Sequence, residues 1–263
     1  MDKLVEMKNI HKSFDGVVAL KGINFEVGFN EVVGVLGDNG AGKSTLIKII
    51  SGVHSFDEGE MYIKGVKINP KKYSVKMAHN LGIETVYQEK ALADKQTLWR
   101  NIFIGRQITN KLGFLNIKKE KEETDKIMHV LMGFRGIGVN ADSAIKTLSG
   151  GEREGVAISR AMYFEADLVI LDEPTMALSL QEVKKVLKFI QNIKDKGKSC
   201  IYISHNIANI HPVSDRFVAI DRGKIVGTYN RKDISLEELS EELIKYTKSS
   251  IQINQDERIL QNG

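Results

Sequence analysis

The segment 32–50 restricts the fold more than any other part of the chain. Residues 32–36 are continuously apolar, which is typical of a strand buried on both faces of a sheet. A glycine-rich loop follows at 37–45, and residues 43–50 then have a helical pattern. A strand, a glycine-rich loop and a helix in this order predict a loop that wraps around phosphate groups.

The loop fits the pattern G-x-x-x-x-G-K-[ST]. Glycines let successive backbone N–H groups converge on phosphate oxygens, and the following helix adds its positive N-terminal end. Lys43 is expected to give a positive charge to the β- and γ-phosphates, and Ser44 to offer its hydroxyl to Mg²⁺. A fortuitous glycine-rich turn is the alternative, which the flanking strand and helix disfavour. The predicted nucleotide-binding residues of this loop are Gly37, Asn39, Gly40, Ala41, Gly42, Lys43, Ser44 and Thr45.

A second apolar run, 168–171, ends in Asp172 and Glu173. A carboxylate at the end of a strand can hold Mg²⁺, directly or through water, opposite Ser44. Strand alternation is expected to turn the side chain of Glu173 to the other face, where it polarises an attacking water. The predicted reaction is hydrolysis by in-line attack on a γ-phosphate. An isolated Asp-Glu-Pro would more simply end a strand, and only the upstream phosphate loop favours the catalytic interpretation.

A third motif, Ser149-Gly150-Gly151, precedes a helix that we expect to begin near Glu152. The free N–H groups at a helix start attract anions, so this segment is a second candidate anion site. The nucleotide already has one cradle at Lys43, and a second γ-phosphate site makes sense only if it serves another copy of the chain. An ordinary N-capped helix is the alternative.

The remaining pattern predicts one α/β domain over residues 1–247 and a polar tail over 248–263. Short β-like runs separated by turns predict an antiparallel β subdomain at the N-terminus. Further along, strands alternate with helices, which predicts a mostly parallel sheet covered on both sides. The interval 89–165 lacks strand patterns and carries helical ones, so we expect a helical subdomain inserted into the core. The strand candidates of the parallel sheet are 83–87, 168–171, 200–203 and 217–220.

The phosphate loop, the Ser149 motif and the acidic strand end occur together in a fixed order. In this respect the chain resembles the nucleotide-binding subunits of ATP-binding-cassette (ABC) proteins over roughly residues 3–230. The resemblance implies a P-loop NTPase core of the RecA-like type that uses ATP and Mg²⁺. It also implies that two cassettes pack head to tail, so that Ser149 and Gly151 of each close over the ATP held by the other.

The same resemblance suggests roles for three more residues. Gln88 corresponds to a Gln that senses Mg²⁺ or water, His205 to a His that contacts the γ-phosphate, and Phe14 to an aromatic ring stacked on adenine. The implied catalytic residues are therefore Glu173, His205 and Gln88, and the implied metal ligands are Ser44, Gln88 and Asp172. Taken alone, a lone Gln is normally a solvated loop residue, and a Phe after a β-like run is more often a core residue.

Two positions depart from the common ABC pattern. The turn 174–179 lacks the Asp that many cassettes carry after the catalytic Glu, so communication across the dimer is expected to be tuned differently. Glu152 stands where many relatives carry Gln. Neither departure threatens ATP binding.

The stretches 81–106 and 173–178 look like those of ATPases from bacterial monosaccharide importers, the ribose, xylose and fructose class. Many of those fuse two cassettes, so this single cassette is expected to pair with a second copy. The implied partners are a membrane-spanning permease and, indirectly, a solute-binding protein, with the chain on the cytoplasmic face of the membrane. Another cargo, such as an amino acid or an exported lipid, and an ABC ATPase of DNA repair or the ribosome are the alternatives.

Charge and cysteine content limit other functions. The net charge is +4 with both signs interspersed, so no nucleic-acid partner is expected. The single cysteine, Cys200, lies in an apolar run and is expected to be a core residue in a reducing compartment. No apolar run approaches the roughly 20 residues that span a bilayer, so the pore must belong to another chain.

Overall fold

The first sheet is antiparallel and has four strands in the order β2-β1-β4-β5. Buried and exposed residues alternate along much of β1 and β2, which leaves one apolar face to pack on the core. The strands are β1 (Lys3–Phe14), β2 (Val17–Gly28), β4 (Glu58–Ile63) and β5 (Val66–Lys67). The expected N-terminal antiparallel subdomain is confirmed. The computed structural model describes residues 2–87, 92–130, 139–176 and 178–246.

The second sheet has six strands in the order β10-β9-β3-β8-β7-β6, and only the β9–β10 pair is antiparallel. Strands β3, β7 and β8 are buried at every position, as expected for strands that are covered on both faces. The mostly parallel sheet is therefore confirmed. Its strands are β3 (Val32–Leu36), β6 (Ile83–Val86), β7 (Leu168–Asp172), β8 (Ser199–Ile203), β9 (Arg216–Asp221) and β10 (Lys224–Asn230).

Alternate residues of the second sheet belong to two hydrophobic clusters, one on each face. Ile170 and Ile201 belong to the cluster shared with the antiparallel sheet, whereas Leu171 and Cys200 belong to the other. Cys200 is a fully buried free thiol, as expected. The helices are α1 (Lys43–Ile50), α2 (Val75–Asn80), α3 (Leu98–Phe103), α4 (Ile117–Val130), α5 (Gly150–Tyr163), α6 (Leu180–Asp195), α7 (Ile207–Ile210) and α8 (236–246).

A third hydrophobic cluster is formed only by residues between 92 and 156, with further apolar side chains up to 164 packed against it. Helices α3, α4 and α5 contribute most of it, and the described part of this interval has isolated β-bridges rather than strands. This is the arrangement expected of an inserted helical lobe, whose boundaries stay a prediction. Helix α5 also places Ala157, Ile158 and Ala161 in the cluster that contains Leu171 and Cys200, so this helix packs the lobe against the sheet.

The C-terminal helix α8 begins with the capping box expected from the sequence. The Glu238 carboxylate accepts a hydrogen bond from the Ser235 backbone at 2.8 Å, and the Ser235 hydroxyl accepts one from the Glu238 backbone at 3.2 Å. The predicted polar tail, 248–263, lies outside the described residues. Within the described ranges, no helix has both the length and the apolar character that crossing a bilayer demands.

Candidate nucleotide-binding site

Three predicted parts of the site, namely the phosphate loop, Asp172 and His205, lie at one edge of the second sheet. Strands β3, β8 and β7 are adjacent and parallel, so their carboxyl ends lie side by side. The phosphate loop follows β3, His205 follows β8, and Asp172 ends β7. In open α/β sheets, ligands bind at this edge. Gln88, which follows β6 in the sequence, lies outside the described residues.

The phosphate loop needs glycine at Gly37 and Gly42. A Cβ atom on Gly37 would lie 2.2 Å from the carbonyl oxygen of Ile220, which no side chain could occupy. Gly42 precedes α1 with φ of 110°, and no side chain caps that helix. The N–H groups of the first turn of α1 are therefore not taken by a capping side chain, as an anion-binding helix start requires.

Lys43 is the buried cation of this loop. Its side chain is only 7% exposed, and Nζ donates hydrogen bonds to the carbonyl oxygens of Gly37 at 2.7 Å and Asp38 at 3.0 Å. Burial lowers the pKa of Lys43, against the opposing negative charges of Glu173 and Asp172. A buried ammonium group held by neutral carbonyls gains further stability from an anion at the loop.

Asp172 and Ser44 carry oxygen atoms of the kind that Mg²⁺ prefers. Asp172 is 7% exposed, and its carboxylate accepts no hydrogen bond from the described residues. Burial and the charge of Glu173 raise the pKa of Asp172, whereas Lys43 opposes the rise. Ser44 is exposed in the first turn of α1, next to Lys43. Within the described residues, a buried carboxylate that accepts no hydrogen bond and an exposed hydroxyl that forms none are donors of the type that a hard divalent cation binds.

No group of three or more His, Cys, Asp or Glu side chains that could hold a metal occurs in the part of the chain that the structure describes. Mg²⁺ usually needs no such cage, because it is held by one or two protein oxygens together with substrate phosphates and water. The donor set at Ser44 and Asp172 therefore fits Mg²⁺ bound with a nucleotide better than a free structural metal.

Glu173 and His205 are brought into contact from different strands. The Nδ1 atom of His205 lies 3.0 Å from Oε2 of Glu173 and donates a hydrogen bond to this carboxylate. The Glu173 side chain is 10% exposed and the His205 side chain 64%. No described residue pairs with Nε2 of His205, so this atom remains available to a ligand.

The direction of the Glu173 side chain has a different cause from the one predicted. Strand β7 ends at Asp172, and Glu173 has a left-handed backbone conformation with φ of 52°. Its N–H donates to the carbonyl of Ile203 at 3.1 Å, which fixes the turn against β8. The direction of the Glu173 carboxylate is therefore set by this turn and not by continued strand alternation. Such a conformation in a non-glycine residue is uncommon and often marks a functional site.

A buried hydrogen-bond network behind this pair was not predicted from the sequence. The Tyr202 hydroxyl lies 3.1 Å from Oγ1 of Thr175, and Nδ2 of Asn209 donates to the same atom at 3.3 Å. Burial raises the pKa of Tyr202 to about 12, so its hydroxyl stays neutral. The network joins the turn after Glu173 to the chain on both sides of His205. The available signal in the sequence was Tyr202, the one residue with a phenolic hydroxyl in the apolar run 200–203.

The Ser149 motif lies in the helical lobe, at the start of α5. The helix begins at Gly150, two residues before the predicted start, and Ser149 is its N-cap. The Ser149 hydroxyl accepts from the Glu152 backbone at 3.3 Å, and the Glu152 carboxylate accepts from the Ser149 backbone at 2.7 Å. Gly150 and Gly151 therefore form the first turn of a capped helix, with a carboxylate beside it.

Phe14 lies at the end of β1, opposite Val17 of β2, and its side chain is 37% exposed. The carbonyl oxygen of Ala19, two residues beyond Val17, packs closely against the phosphate loop. A Cβ atom on Gly42 would lie 2.9 Å from this oxygen. The ring is thus held at the tip of the hairpin that supports the loop. This exposure disfavours the core interpretation and keeps Phe14 a candidate for stacking on a base.

The lobe and the sheet are joined by a buried charge cluster that sequence reasoning also missed. Glu84 lies on β6, the strand that leads to Gln88, and forms an ion pair with Arg106 of the lobe. Burial raises the pKa of Glu84, and the charges of Arg106 and Arg160 oppose the rise. Arg160 lies on α5 and donates to the carbonyl of Ile104 at 3.3 Å. The signal in the sequence was Glu84, an acidic residue within the strand candidate 83–87.

The structure therefore brings Lys43, Ser44, Asp172, Glu173 and His205 to one sheet edge, and places the Ser149 motif in the lobe. Among the other predicted loop residues, Asn39 and Gly40 are exposed, Ala41 is buried and Thr45 is half-buried.

A P-loop core, an antiparallel β subdomain and a helical lobe with a glycine-rich helix start define an ATPase cassette of the P-loop class. The model of the family described as ABC transporter matches residues 20–176, and the chain belongs to this family. The resemblance seen in the sequence is thereby confirmed.

Two curated relatives extend this result. The chain is 42% identical to the xylose/arabinose import ATP-binding protein XylG of Sulfolobus acidocaldarius, over 97% of this chain and 99% of that protein. It is 34% identical to the ribose import ATP-binding protein RbsA of Caldanaerobacter subterraneus subsp. tengcongensis, over 91% of this chain. The match covers only 47% of RbsA, so the chain spans about half the length of that relative.

Solved structures share the fold at lower identity. The ADP conformation of MJ1267, an ATP-binding cassette of an ABC transporter, has a TM-score of 0.77 at 24% identity and covers 96% of this chain and 99% of that chain. The dimeric post-hydrolysis state of the cassette MJ0796, bound to ADP and Pi, has a TM-score of 0.74 at 22% identity and covers 88% and 100%.

Proposed function

We propose that the chain binds and hydrolyses ATP and thereby energises uptake of a monosaccharide through a separate membrane permease. The observation that carries this proposal is the contact of Glu173 with His205 beside the buried Lys43 and Asp172. The xylose/arabinose and ribose import names of the two relatives support the choice of cargo class.

In the proposed reaction the phosphate loop and Lys43 hold the β- and γ-phosphates. Ser44 and Asp172, with Gln88, would hold Mg²⁺, which when bound would neutralise charge on the phosphate oxygens. Glu173 takes a proton from the attacking water, and His205 keeps the Glu173 carboxylate in position while its Nε2 faces the γ-phosphate. Phe14 stacks on the adenine ring. These assignments follow from preorganised groups whose geometry needs little rearrangement.

The active form is a head-to-tail dimer of two copies. The phosphate loop lies in the core, and the Ser149 motif lies in the lobe. Ser149, Gly150 and Gly151 of one copy would close over the ATP held by the other. The dimeric structures of the cassette MJ0796 support this arrangement, because they have the same fold. ATP at both interfaces then drives closure, and product release reopens the pair.

The lobe offers a place for the permease. A cavity of about 450 Å³ beside α3 is lined mainly by apolar groups, among them those of Trp99, Phe103, Ile104, Leu115 and Ile117. A concave apolar surface of this kind fits a helix from a partner protein. The chain would then sit peripherally on the cytoplasmic face of the membrane. A solute-binding protein would act on the permease from the other side and never touch the chain.

Replacing Glu173 by Gln tests the reaction. The amide cannot accept a proton, so ATPase turnover is expected to fall by roughly 10²–10⁴-fold while Mg-ATP binding persists. The matched control is Glu165→Gln, which alters another glutamate with φ of 52° on an exposed turn. Steady-state phosphate release and nucleotide binding, measured together, separate the two steps. Wild-type turnover in Glu173→Gln would remove this residue from the role of base.

The cargo class is tested with the membrane complex. The chain is co-purified with its permease, and ATPase stimulation is measured with a panel of monosaccharides and amino acids in the presence of the solute-binding protein. Stimulation by pentoses or related sugars is expected. Stimulation by amino acids alone would contradict sugar import and leave the hydrolysis chemistry untouched.

A further inference from the structure

Two large apolar side chains in the loop between α3 and α4 are largely exposed to solvent. Leu112 is 80% exposed and Phe114 is 69% exposed, and they flank Gly113 at the tip of the loop. Leu115 and Ile117 are also exposed, and both line the cavity that we assign to the permease. The tip therefore extends one wall of that cavity outward.

The loop is built to present these side chains. Asn110 donates its backbone N–H to the carbonyl of Phe114 at 2.8 Å, and its side-chain oxygen accepts from Leu112 at 2.9 Å and from Phe114 at 3.0 Å. At the base, the buried Glu120 carboxylate of α4 accepts from the Ile108 backbone at 2.7 Å. We call residues 108–119 the basic hairpin.

The charged residues of the hairpin itself are all basic, and the first acids of α4 follow it at Glu120, Glu122 and Glu123. Residues 106–119 contain no acid, and their basic residues are Arg106, Lys111, Lys118 and Lys119. Arg106 is paired with Glu84 in the joint between lobe and sheet. The three lysines are exposed, and none forms an ion pair with another of the described residues. The hairpin thus presents two exposed apolar side chains together with three exposed lysines.

We propose that the basic hairpin inserts Leu112 and Phe114 into the headgroup region of a membrane rich in anionic lipid. Apolar side chains flanked by lysines are the physical signature of an interfacial membrane contact, in which charge attracts and apolar burial holds. Both side chains are largely exposed at the tip, and a deformable lipid layer can accommodate such side chains.

The inference rests on the proposed function in one respect, because docking of a permease in the adjacent cavity would turn this side of the lobe toward the bilayer. Three lysines and two side chains make a weak contact by themselves. Coupled to a docked permease, a weak contact becomes effective because the second binding event is intramolecular. The hairpin would then hold the lobe against the membrane during the opening and closing of the dimer.

The test uses the purified full chain and vesicles without any permease. Co-sedimentation is compared between vesicles of phosphatidylglycerol with phosphatidylcholine and vesicles of phosphatidylcholine alone. Wild-type chain is expected to bind the anionic vesicles preferentially and to dissociate as salt is raised. The double variant Leu112→Ser with Phe114→Ser and the triple variant Lys111→Gln, Lys118→Gln, Lys119→Gln should each weaken binding by at least about tenfold.

Matched controls keep the test specific. The triple variant Lys184→Gln, Lys185→Gln, Lys188→Gln removes the same charge from exposed positions of α6, and Phe29→Ser removes an aromatic side chain that is 51% exposed in another turn. Both controls should bind anionic vesicles like wild type. All variants should keep the wild-type circular dichroism and basal ATPase rate, because none of these residues belongs to the nucleotide site.

Three results would overturn the proposal: no preference of the wild-type chain for anionic vesicles, an equal loss in the α6 control, or hairpin variants that keep vesicle binding and lose only the permease. The last result would make the hairpin a protein-docking loop. Loss of ATP hydrolysis in every preparation, with vesicle binding intact, would instead count against the proposed function and spare the hairpin.

Discussion

Helices α1 and α5 both begin with glycine-rich sequences suited to anions, yet their first turns are built in opposite ways. The N-cap of α1 is Gly42, no side chain caps the helix, and the buried Lys43 follows at once. The N-cap of α5 is Ser149, whose capping box with Glu152 satisfies two backbone donors within the chain. One helix start is left open to a ligand, and the other is closed by its own side chains.

The difference suggests an order of events at the proposed shared site. An uncapped helix start next to a buried ammonium group gains most from phosphate, so the core of a single copy should bind nucleotide tightly by itself. The start of α5 is stable without a ligand, and the Glu152 carboxylate repels an approaching phosphate. It should therefore bind only when a second copy already presents ATP.

The largest expected effect comes from removing the cation of the open helix start. Lys43→Ala should weaken Mg-ATP binding by roughly 100-fold or more, because a charge-assisted contact to two phosphates is lost. Isothermal titration calorimetry measures the change, with Lys76→Ala on the exposed face of α2 as the control. Retained micromolar affinity in Lys43→Ala would contradict the phosphate-loop assignment.

A bulky residue at Ser149, at the start of α5, should reduce ATP hydrolysis without changing nucleotide binding by a single copy. Ser149→Arg fills the space over α5, so hydrolysis should fall by about 100-fold while nucleotide binding by the single copy stays unchanged. Ser235→Arg disturbs an equivalent capping box on α8 and should leave hydrolysis near the wild-type rate. Equal losses in the two variants would indicate that only helix capping matters.

Phe14 tests the first of the two binding steps, in which a single copy binds ATP without its partner. Phe14→Ala should weaken ATP binding by about fivefold, close to the lower limit for loss of a base-stacking contact. The affinity of the isolated cassette is the measurement, and Phe14→Tyr should restore it. Val17→Ala, at the cross-strand position, is the control for hairpin stability. An unchanged affinity for ATP would return Phe14 to a structural role.

The smallest effect concerns the charge beside α5. Glu152→Gln keeps an oxygen for the capping box and removes the carboxylate charge, so ATP-dependent dimerisation should strengthen by about two- to fivefold. Analytical ultracentrifugation in the Glu173→Gln background measures it. Glu182→Gln makes the same change in the capping box of α6 and serves as the control. Weaker dimerisation in Glu152→Gln would contradict the idea that this charge opposes closure.

Local chemistry in the sequence predicted the parts of the site that depend on neighbours in the chain. Apolar runs before Gly37 and Asp172 predicted buried strands, and parallel strands end at one edge, which predicted the meeting of the two motifs. The start of α5 was placed two residues late, although the spacing of Ser149 and Glu152 marks a capping box. Strand β10 was not predicted, because Gly227 interrupts its apolar pattern.

Contacts between distant residues escaped prediction for a physical reason. Thr175 meets Tyr202 across 27 positions and Asn209 across 34, and only the strand order of the sheet makes them neighbours. The ion pair of Glu84 with Arg106 likewise depends on how the lobe packs against β6. A glycine would have indicated a left-handed backbone conformation, but residue 173 is a glutamate. The sequence therefore predicted that strand alternation continues through Glu173.

The central claim is that each ATP is held by the phosphate loop of one copy and the α5 start of another. Ser149→Arg and Glu173→Gln are each expected to stop hydrolysis, and the two variants are mixed before ATP is added. A mixed dimer has one site with both defects and one site with neither. The mixture should therefore recover up to about a quarter of the wild-type rate, since half of the dimers are mixed. A mixture no more active than either variant alone would contradict the shared site.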